Sequence, residues 1–206
     1  MVSRSECLKL LASKITNELV LCSIAGVAKD WGILKERDGN FYQVYMSGTT
    51  PVALGLARAL PHRRVIALDA DGSILMGLTV LPVIAQQNPS NLIVIVFDNE
   101  MYEAAGRVPT FTAGPTDLVE VARGAGIRNA VTVRELPEFQ KAIDEAFQAN
   151  GATFIVVKTQ TGTLPGAWLA LDGTENKYRF IRYVERTENL QIIKPAKKKL
   201  LPTDKV

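Results

Sequence analysis

Apolar residues run along this chain in two rhythms. Short unbroken runs, rich in β-branched residues, predict strands buried on both faces: "ELVLCSI" (18–24), "RVIALDA" (64–70), "NLIVIVFDN" (91–99) and "TFIVVKT" (153–159). "NFYQVY" (40–45) and "NAVTV" (129–133) predict two more. Between them, apolar residues recur every three or four positions and predict helices. The first carries Cys7, Leu8, Leu10, Leu11 and Ile15, with Ser3 and Glu6 placed as a capping box. "PVALGLARAL" opens on Pro51, a favoured first-turn position. "SILMGLTVLPVIAQQ" reads as one helix bent at Pro82, "DLVEVARGAG" as a helix capped by Thr116, and "LPEFQKAIDEAFQAN" as a helix ended by Gly151. "AGVAKDWG" reads as a loop, "MSGTT" as a turn and residues 100–115 as a long loop. The alternation predicts an α/β fold, a doubly wound, mostly parallel sheet with helices on both faces. No linker interrupts it before about Leu164, so residues 1–165 form the expected domain. Residues 166–206 form an extension: "TLPGAW", a charged helical stretch near 177–188, and a basic tail.

Composition narrows the function classes. The chain has 206 residues, enough for one substantial domain, with 47% hydrophobic and 22% charged residues. The net charge of +3 lies largely in "KPAKKK" (194–199), so the body is near neutral, which argues against a nucleic-acid face. The tail reads as solvated or partner-packed, and Leu200 and Leu201 favour packing. Cys7 and Cys22 have no metal-ligand spacing and form no disulfide framework. His62, the single histidine, sits in the polar turn "LPHRRV" and reads as a solvated turn residue, not a catalyst. Charges break the apolar pattern at the N-terminus, so no signal peptide is expected. No run is long enough to span a membrane. A cytoplasmic protein is the expectation.

Candidate chemistry sits where two strands end. One ends in Asp69-Ala70-Asp71-Gly72-Ser73, the other in Asp98-Asn99, with a helix between. A right-handed β-α-β crossover brings both ends to one edge of the sheet, where ligands of such folds bind. Asp71 and Asn99 can therefore converge. Their hard oxygens suit Mg²⁺ or Ca²⁺. Gly72 and Ser73 open a helix whose free N–H groups favour an anion. Either turn alone is ordinary turn chemistry; the two together point to a metal-bound diphosphate. Asp69 is expected to face the other side of the strand, without a role.

These residues resemble a known family. Asp-Gly-Ser, a helix, an apolar strand and Asp-Asn are similar to the thiamine-diphosphate-binding motif. The stretch from about Glu18 to Thr161 resembles the diphosphate-binding (PP) domain of thiamine-diphosphate-dependent decarboxylases. The small subunit of sulfopyruvate decarboxylase and phosphonopyruvate decarboxylase are the likest members. "KDWGILKERDGNFYQVYM", "VALGLARALPHRRVIALDADGS", "DNEMYEAAGRVPTFTAGPTDL" and "VARGAGI" carry the likeness. The resemblance implies that Asp71, Asn99 and the Met101 carbonyl ligate Mg²⁺. It implies that Gly72, Ser73, Gly26 and Val27 meet the diphosphate, that Met46 props thiamine in a bent conformation beside Ser47, and that the Val44 carbonyl accepts from the aminopyrimidine. Tyr102 belongs to the same cofactor wall. Without the resemblance, Met46, Met101 and Tyr102 read as core filling. Departures from the pattern are Ala70 and Glu100 for glycines and apolar Val27 and Ala28 for polar residues. Arg107, in the long loop beside the site, is placed either to meet an anionic substrate group or to stay solvated.

No catalytic residue is assigned to this chain. In the family, the glutamate that starts cofactor deprotonation belongs to a pyrimidine-binding (PYR) domain, and no segment here matches one. The resemblance thus implies a separate PYR-domain partner subunit and a hetero-oligomer of at least α2β2. It implies decarboxylation of a small 2-oxo acid, with the thiazolium ring as electron sink. Two other readings remain open: the PP subunit of a thiamine-dependent carboligase or 2-hydroxyacyl lyase, and a non-catalytic regulatory module for a phosphate ligand.

Overall fold

A computed structural model describes residues 1–166 and 172–194. In chain order the strands are β1 (Leu19–Ser23), β2 (Asn40–Val44), β3 (Val65–Ala70), β4 (Leu92–Asp98), β5 (Met101–Tyr102), β6 (Val108–Pro109), β7 (Asn129–Val133) and β8 (Thr153–Lys158). The helices are α1 (Arg4–Lys14), α2 (Gly26–Leu34), α3 (Thr49–Ala59), α4 (Asp71–Leu75), α5 (Val80–Gln87), α6 (Leu118–Gly124), α7 (Leu136–Ala146) and α8 (Gly173–Glu188). Six strands form one sheet in the order β2-β1-β3-β4-β8-β7, every pair parallel. β5 and β6 form a separate antiparallel hairpin inside the expected long loop.

The unbroken apolar runs follow from two cores, one on each face of the sheet. In β1, Leu19 and Leu21 join α3, α5, α6 and α8 on one face. Val20 and Cys22 join α1, α2 and α7 on the other. β1 connects to β2 on one side of itself and lies beside β3 on the other, so the chain changes direction between the carboxyl ends of β1 and β3. That is the switch point at which open α/β sheets hold ligands.

Several local expectations are corrected. "AGVAKDWG" is not a loop but most of α2, which buries Val27, Ala28 and Trp31. Gly26 and Asp30 hide its periodicity; Asp30 is inside because it pairs with Arg4 of α1 at 2.9 Å. The single helix expected after Ser73 is two. Between α4 and α5, residues 76–79 run in short turns, with Gly77 N–H donating to the Ile74 carbonyl and Val80 N–H to that of Gly77. The interruption falls ahead of Pro82, which sits in the first turn of α5, where it displaces no helical bond. α6 is capped by Asp117, whose side chain accepts from Val119 and Glu120 N–H, rather than by Thr116. Ser3 makes no cap bond; a capping box occurs instead at Glu135 and Glu138 of α7.

α8 closes one end of the sheet. Phe180 stacks on Phe41 of β2, with centroids 5.2 Å apart. The Asn176 amide donates to the Tyr42 carbonyl at 2.6 Å and accepts from the Tyr42 N–H at 3.3 Å, standing in for a neighbouring strand. His62, expected as a solvated turn residue, is exposed but meets Glu188 at the end of α8, which also pairs with Arg63. The last residues of "TLPGAW" and the tail beyond Lys194, with Leu200 and Leu201, lie outside the described residues. Among the described residues no helix is long and apolar enough to cross a membrane.

Candidate functional site

At the switch point lies a cavity of about 100 Å³. Three chain turns build it. After β1 the chain swings through Ala25, in the left-handed region at φ 64°, into α2. The first N–H groups of that helix have no intrahelical partner and carry its positive end. After β3 the chain passes from Ala70 straight into α4, which brings Asp71, Gly72 and Ser73 to the wall. After β4 it passes Asn99 and enters the hairpin, which contributes Met101 and Tyr102.

Of the residues expected at the cofactor, Gly26, Val27, Met46, Asp71, Gly72, Ser73, Asn99, Met101 and Tyr102 all line this one cavity. Val44 and Ser47 do not. Val44 is buried, and its carbonyl accepts from the Ile24 N–H at 3.1 Å, which leaves one lone pair. Ser47 stands at φ 68°, and its N–H donates to Ser73 Oγ at 3.0 Å. It thereby ties the Met46 turn to the start of α4. Arg107 is exposed on the hairpin, also in the left-handed region.

Asp71 is held firmly and on one oxygen. Thr110 donates to its Oδ2 at 2.6 Å, Thr112 Oγ1 lies 3.3 Å from the same oxygen, and neither bonds Oδ1. Burial pushes the carboxyl up to about 6, opposed by the Thr110 bond and reinforced by the charge of Asp98. The single Thr112 proton goes to Asp98 Oδ1 at 2.7 Å, so this hydroxyl stands between the two carboxylates and bonds the nearer. Lys158 pairs with Asp98 Oδ2 at 2.7 Å and with Glu100 at 2.9 Å. Burial pulls the Lys158 ammonium down, but those two bonds outweigh it and leave its pKa raised. Asp69, expected to have no role, lies fully buried beneath the site. It accepts from the Thr50 hydroxyl of α3 at 2.7 Å and from the Ala70 N–H at 3.0 Å. Burial pushes its carboxyl up as well.

The donor set fits a hard cation with a diphosphate. A carboxylate and an amide share one wall, beside the open N-terminal turn of α2. Among the described residues no group of three or more His, Cys, Asp and Glu could hold a metal. A cation here would therefore complete its sphere with amide, carbonyl, water and phosphate oxygens, as Mg²⁺ does. The ring of Tyr102 lies directly on Gly72, where any Cβ would overlap it. The ring thus covers the Gly72 backbone, and the cavity of about 100 Å³ is below the roughly 300 Å³ at which small-molecule sites begin.

Four residues of the site went unread in the sequence. Arg4 left a signal: it stands on the buried stripe of α1 with Cys7, Leu8 and Leu11, an inward position for a charge. Thr110 and Thr112 had only their spacing in "PTFT", and Glu103 nothing to part it from a solvated loop acid.

The profile of the family described as "Thiamine pyrophosphate enzyme, C-terminal TPP binding domain" matches residues 40–157, and the chain belongs to this family. Among relatives, it is 31% identical over 180 residues to sulfopyruvate decarboxylase subunit beta of Methanocaldococcus jannaschii, covering 87% of this chain and 95% of that one. It is 30% identical over 159 residues to phosphonopyruvate decarboxylase of Streptomyces viridochromogenes, covering 77% of this chain but 40% of the relative. A solved structure, the thiamine diphosphate-dependent 4-hydroxybenzoylformate decarboxylase of Rhodococcus jostii RHA1, superposes with a TM-score of 0.67 at 23% identity. It covers 79% of this chain and 33% of that one, and it shows the shared fold. The chain thus spans nearly all of a beta subunit and less than half of a longer decarboxylase chain.

Proposed function

We infer that this chain is the cofactor-holding subunit of a two-subunit 2-oxo acid decarboxylase that uses thiamine diphosphate and Mg²⁺. The substrate class is a small 2-oxo acid bearing a sulfonate or phosphonate, in keeping with the names of the relatives. One observation carries the reading: Asp71 and Asn99, from neighbouring strand ends, line one cavity at the switch point.

Bound thiamine diphosphate supplies the electron sink for carbon–carbon cleavage. Asp71, Asn99 and the Met101 carbonyl would hold the Mg²⁺. Asp71 is suited to this because the Thr110 hydroxyl occupies its Oδ2, with Thr112 beside it, and leaves Oδ1. The start of α2 at Gly26 and Val27 would receive the diphosphate with Gly72 and Ser73, and Met46 would stand against the thiamine rings. Met46 is fixed for this by the Ser47 bond to Ser73.

The chain's task is to bind and orient; the glutamate that activates the cofactor would come from a PYR-domain partner, in an assembly of at least α2β2. The beta-subunit names of several relatives support a partner. Residues 1–165 serve as the cofactor-binding unit and 166–206 as an extension. The two cysteines are buried free thiols, in keeping with a reducing cytoplasm.

The test is binding followed by turnover. Thiamine diphosphate with Mg²⁺ should raise the thermal midpoint of the chain in complex with its partner, and Asp71→Ala should abolish the rise. Purified with its partner, the protein should release carbon dioxide from sulfopyruvate or phosphonopyruvate. Full-rate release by the isolated chain would refute the two-subunit reading.

A further inference from the structure

Glu103 poses an electrostatic problem. It is a carboxylate on the wall of a cavity read as a diphosphate site, and it is 27% exposed. A negative charge there should repel an anion unless it is held to another purpose.

Its contacts show what that purpose is. Glu103 Oε2 accepts from Asn99 Nδ2 at 2.8 Å, and Oε1 accepts from the Gly162 N–H at 2.8 Å. Arg4 Nη1 lies 4.0 Å from the same Oε2. Arg4 is itself fixed: it is 6% exposed, its Nε pairs with Asp30 at 2.9 Å, and its Nη2 donates to the Gly162 carbonyl. Asp30 in turn accepts from the Leu164 N–H at 2.8 Å. α1, α2 and the segment after β8 thus converge on one carboxylate in the hairpin.

The ends of an asparagine amide are nearly equal in shape and opposite in chemistry. The oxygen can ligate a cation; the NH₂ end presents hydrogens to it and cannot. An ionised carboxylate only accepts, so Glu103 selects the NH₂ end of Asn99. Oδ1 is left at the other end, where it accepts from the Met101 N–H at 3.1 Å. We propose that Glu103, braced by Gly162 and Arg4, is a positioning residue that fixes the Asn99 amide with its oxygen available to the metal. The Arg4 guanidinium offsets the Glu103 charge against the diphosphate. This inference rests on the reading of Asn99 as a metal ligand.

The test separates metal from cofactor affinity. The chain in complex with its partner is titrated with Mg²⁺ at saturating thiamine diphosphate, then with thiamine diphosphate at saturating Mg²⁺, by calorimetry. Partners behind a metal ligand typically carry a 10–100-fold share of metal affinity. Glu103→Ala should therefore raise the Mg²⁺ half-saturation by about tenfold or more. It should leave cofactor affinity at saturating metal within about twofold. Glu103→Gln keeps the shape and an acceptor oxygen and should show a smaller loss in the same direction; it serves as the reading variant if Glu103→Ala does not fold. An unchanged Mg²⁺ half-saturation overturns the proposal, as does an equal fall in both affinities, which would mean a merely structural role. If the wild-type complex shows no Mg²⁺-dependent binding of thiamine diphosphate, the functional reading itself fails, and the proposal with it.

Discussion

Asp71 is a buried acid whose ionisation weakens the fold, a cost expected of a residue kept for the proposed metal. Its value of about 6 in the folded chain stands above the ordinary 3.8. Between the two, the folded chain binds the proton more firmly than the unfolded one. Stability therefore falls as pH rises from about 4 to about 6 and stays lower above that. The gap corresponds to on the order of 3 kcal/mol. In chelator, without cofactor, Asp71→Asn should unfold at higher urea than the wild type at pH 7, and the difference should close near pH 4. A variant less stable than wild type at pH 7 contradicts this. Asp69, two residues earlier, is the opposite case: a buried acid that serves the frame. Thr50→Val removes its hydroxyl partner and should cost about 1–3 kcal/mol in urea unfolding, with cofactor affinity little changed. Asp71 stood out in the sequence only because Asp98-Asn99 ends the neighbouring strand; alone, its turn is ordinary turn chemistry. Asp69 did not, because its partner Thr50 lies on a helix that only the fold brings near.

Among the elements, the strands were legible and the helix ends were not. Strands buried on both faces leave continuous apolar runs, and β3, β4 and β8 occupy the predicted positions to within a residue or so. α2 was obscured by Gly26 and by Asp30, whose burial makes sense only with Arg4 opposite. The division between α4 and α5 has a tertiary cause: a Cβ at Gly77 would stand 3.1 Å from Ser47, in the turn that carries Met46. α8 makes its own prediction. Its Asn176 satisfies both backbone groups of Tyr42 on an edge strand. Asn176→Ala should destabilise the chain by about 1–3 kcal/mol. It also bares an unpaired strand edge, so light scattering on heating should begin at a lower temperature than in the wild type.

At the scale of the whole molecule, the sheet order places the cavity at the switch point, and in the proposed function a partner chain completes it. The fold could be read from the apolar runs, whereas the two strand-end motifs suggested only a metal-bound diphosphate and the thiamine came from the family resemblance. The Arg4–Glu103 arm could not be read, since it joins residues distant along the chain. Thiamine diphosphate with Mg²⁺ at a hundredfold excess over Kd should stabilise the chain by about 2.7 kcal/mol, measured as a shift of the urea curve. The ring of Tyr102 packs on Gly72. A diphosphate bound against Gly72 would require the ring to move first, and only molecules with the ring displaced would then be competent. In stopped-flow mixing the observed rate should therefore level off as cofactor concentration rises, at the rate of that movement. Tyr102→Ala should restore a linear dependence: the ring is a clock on the holoenzyme's assembly.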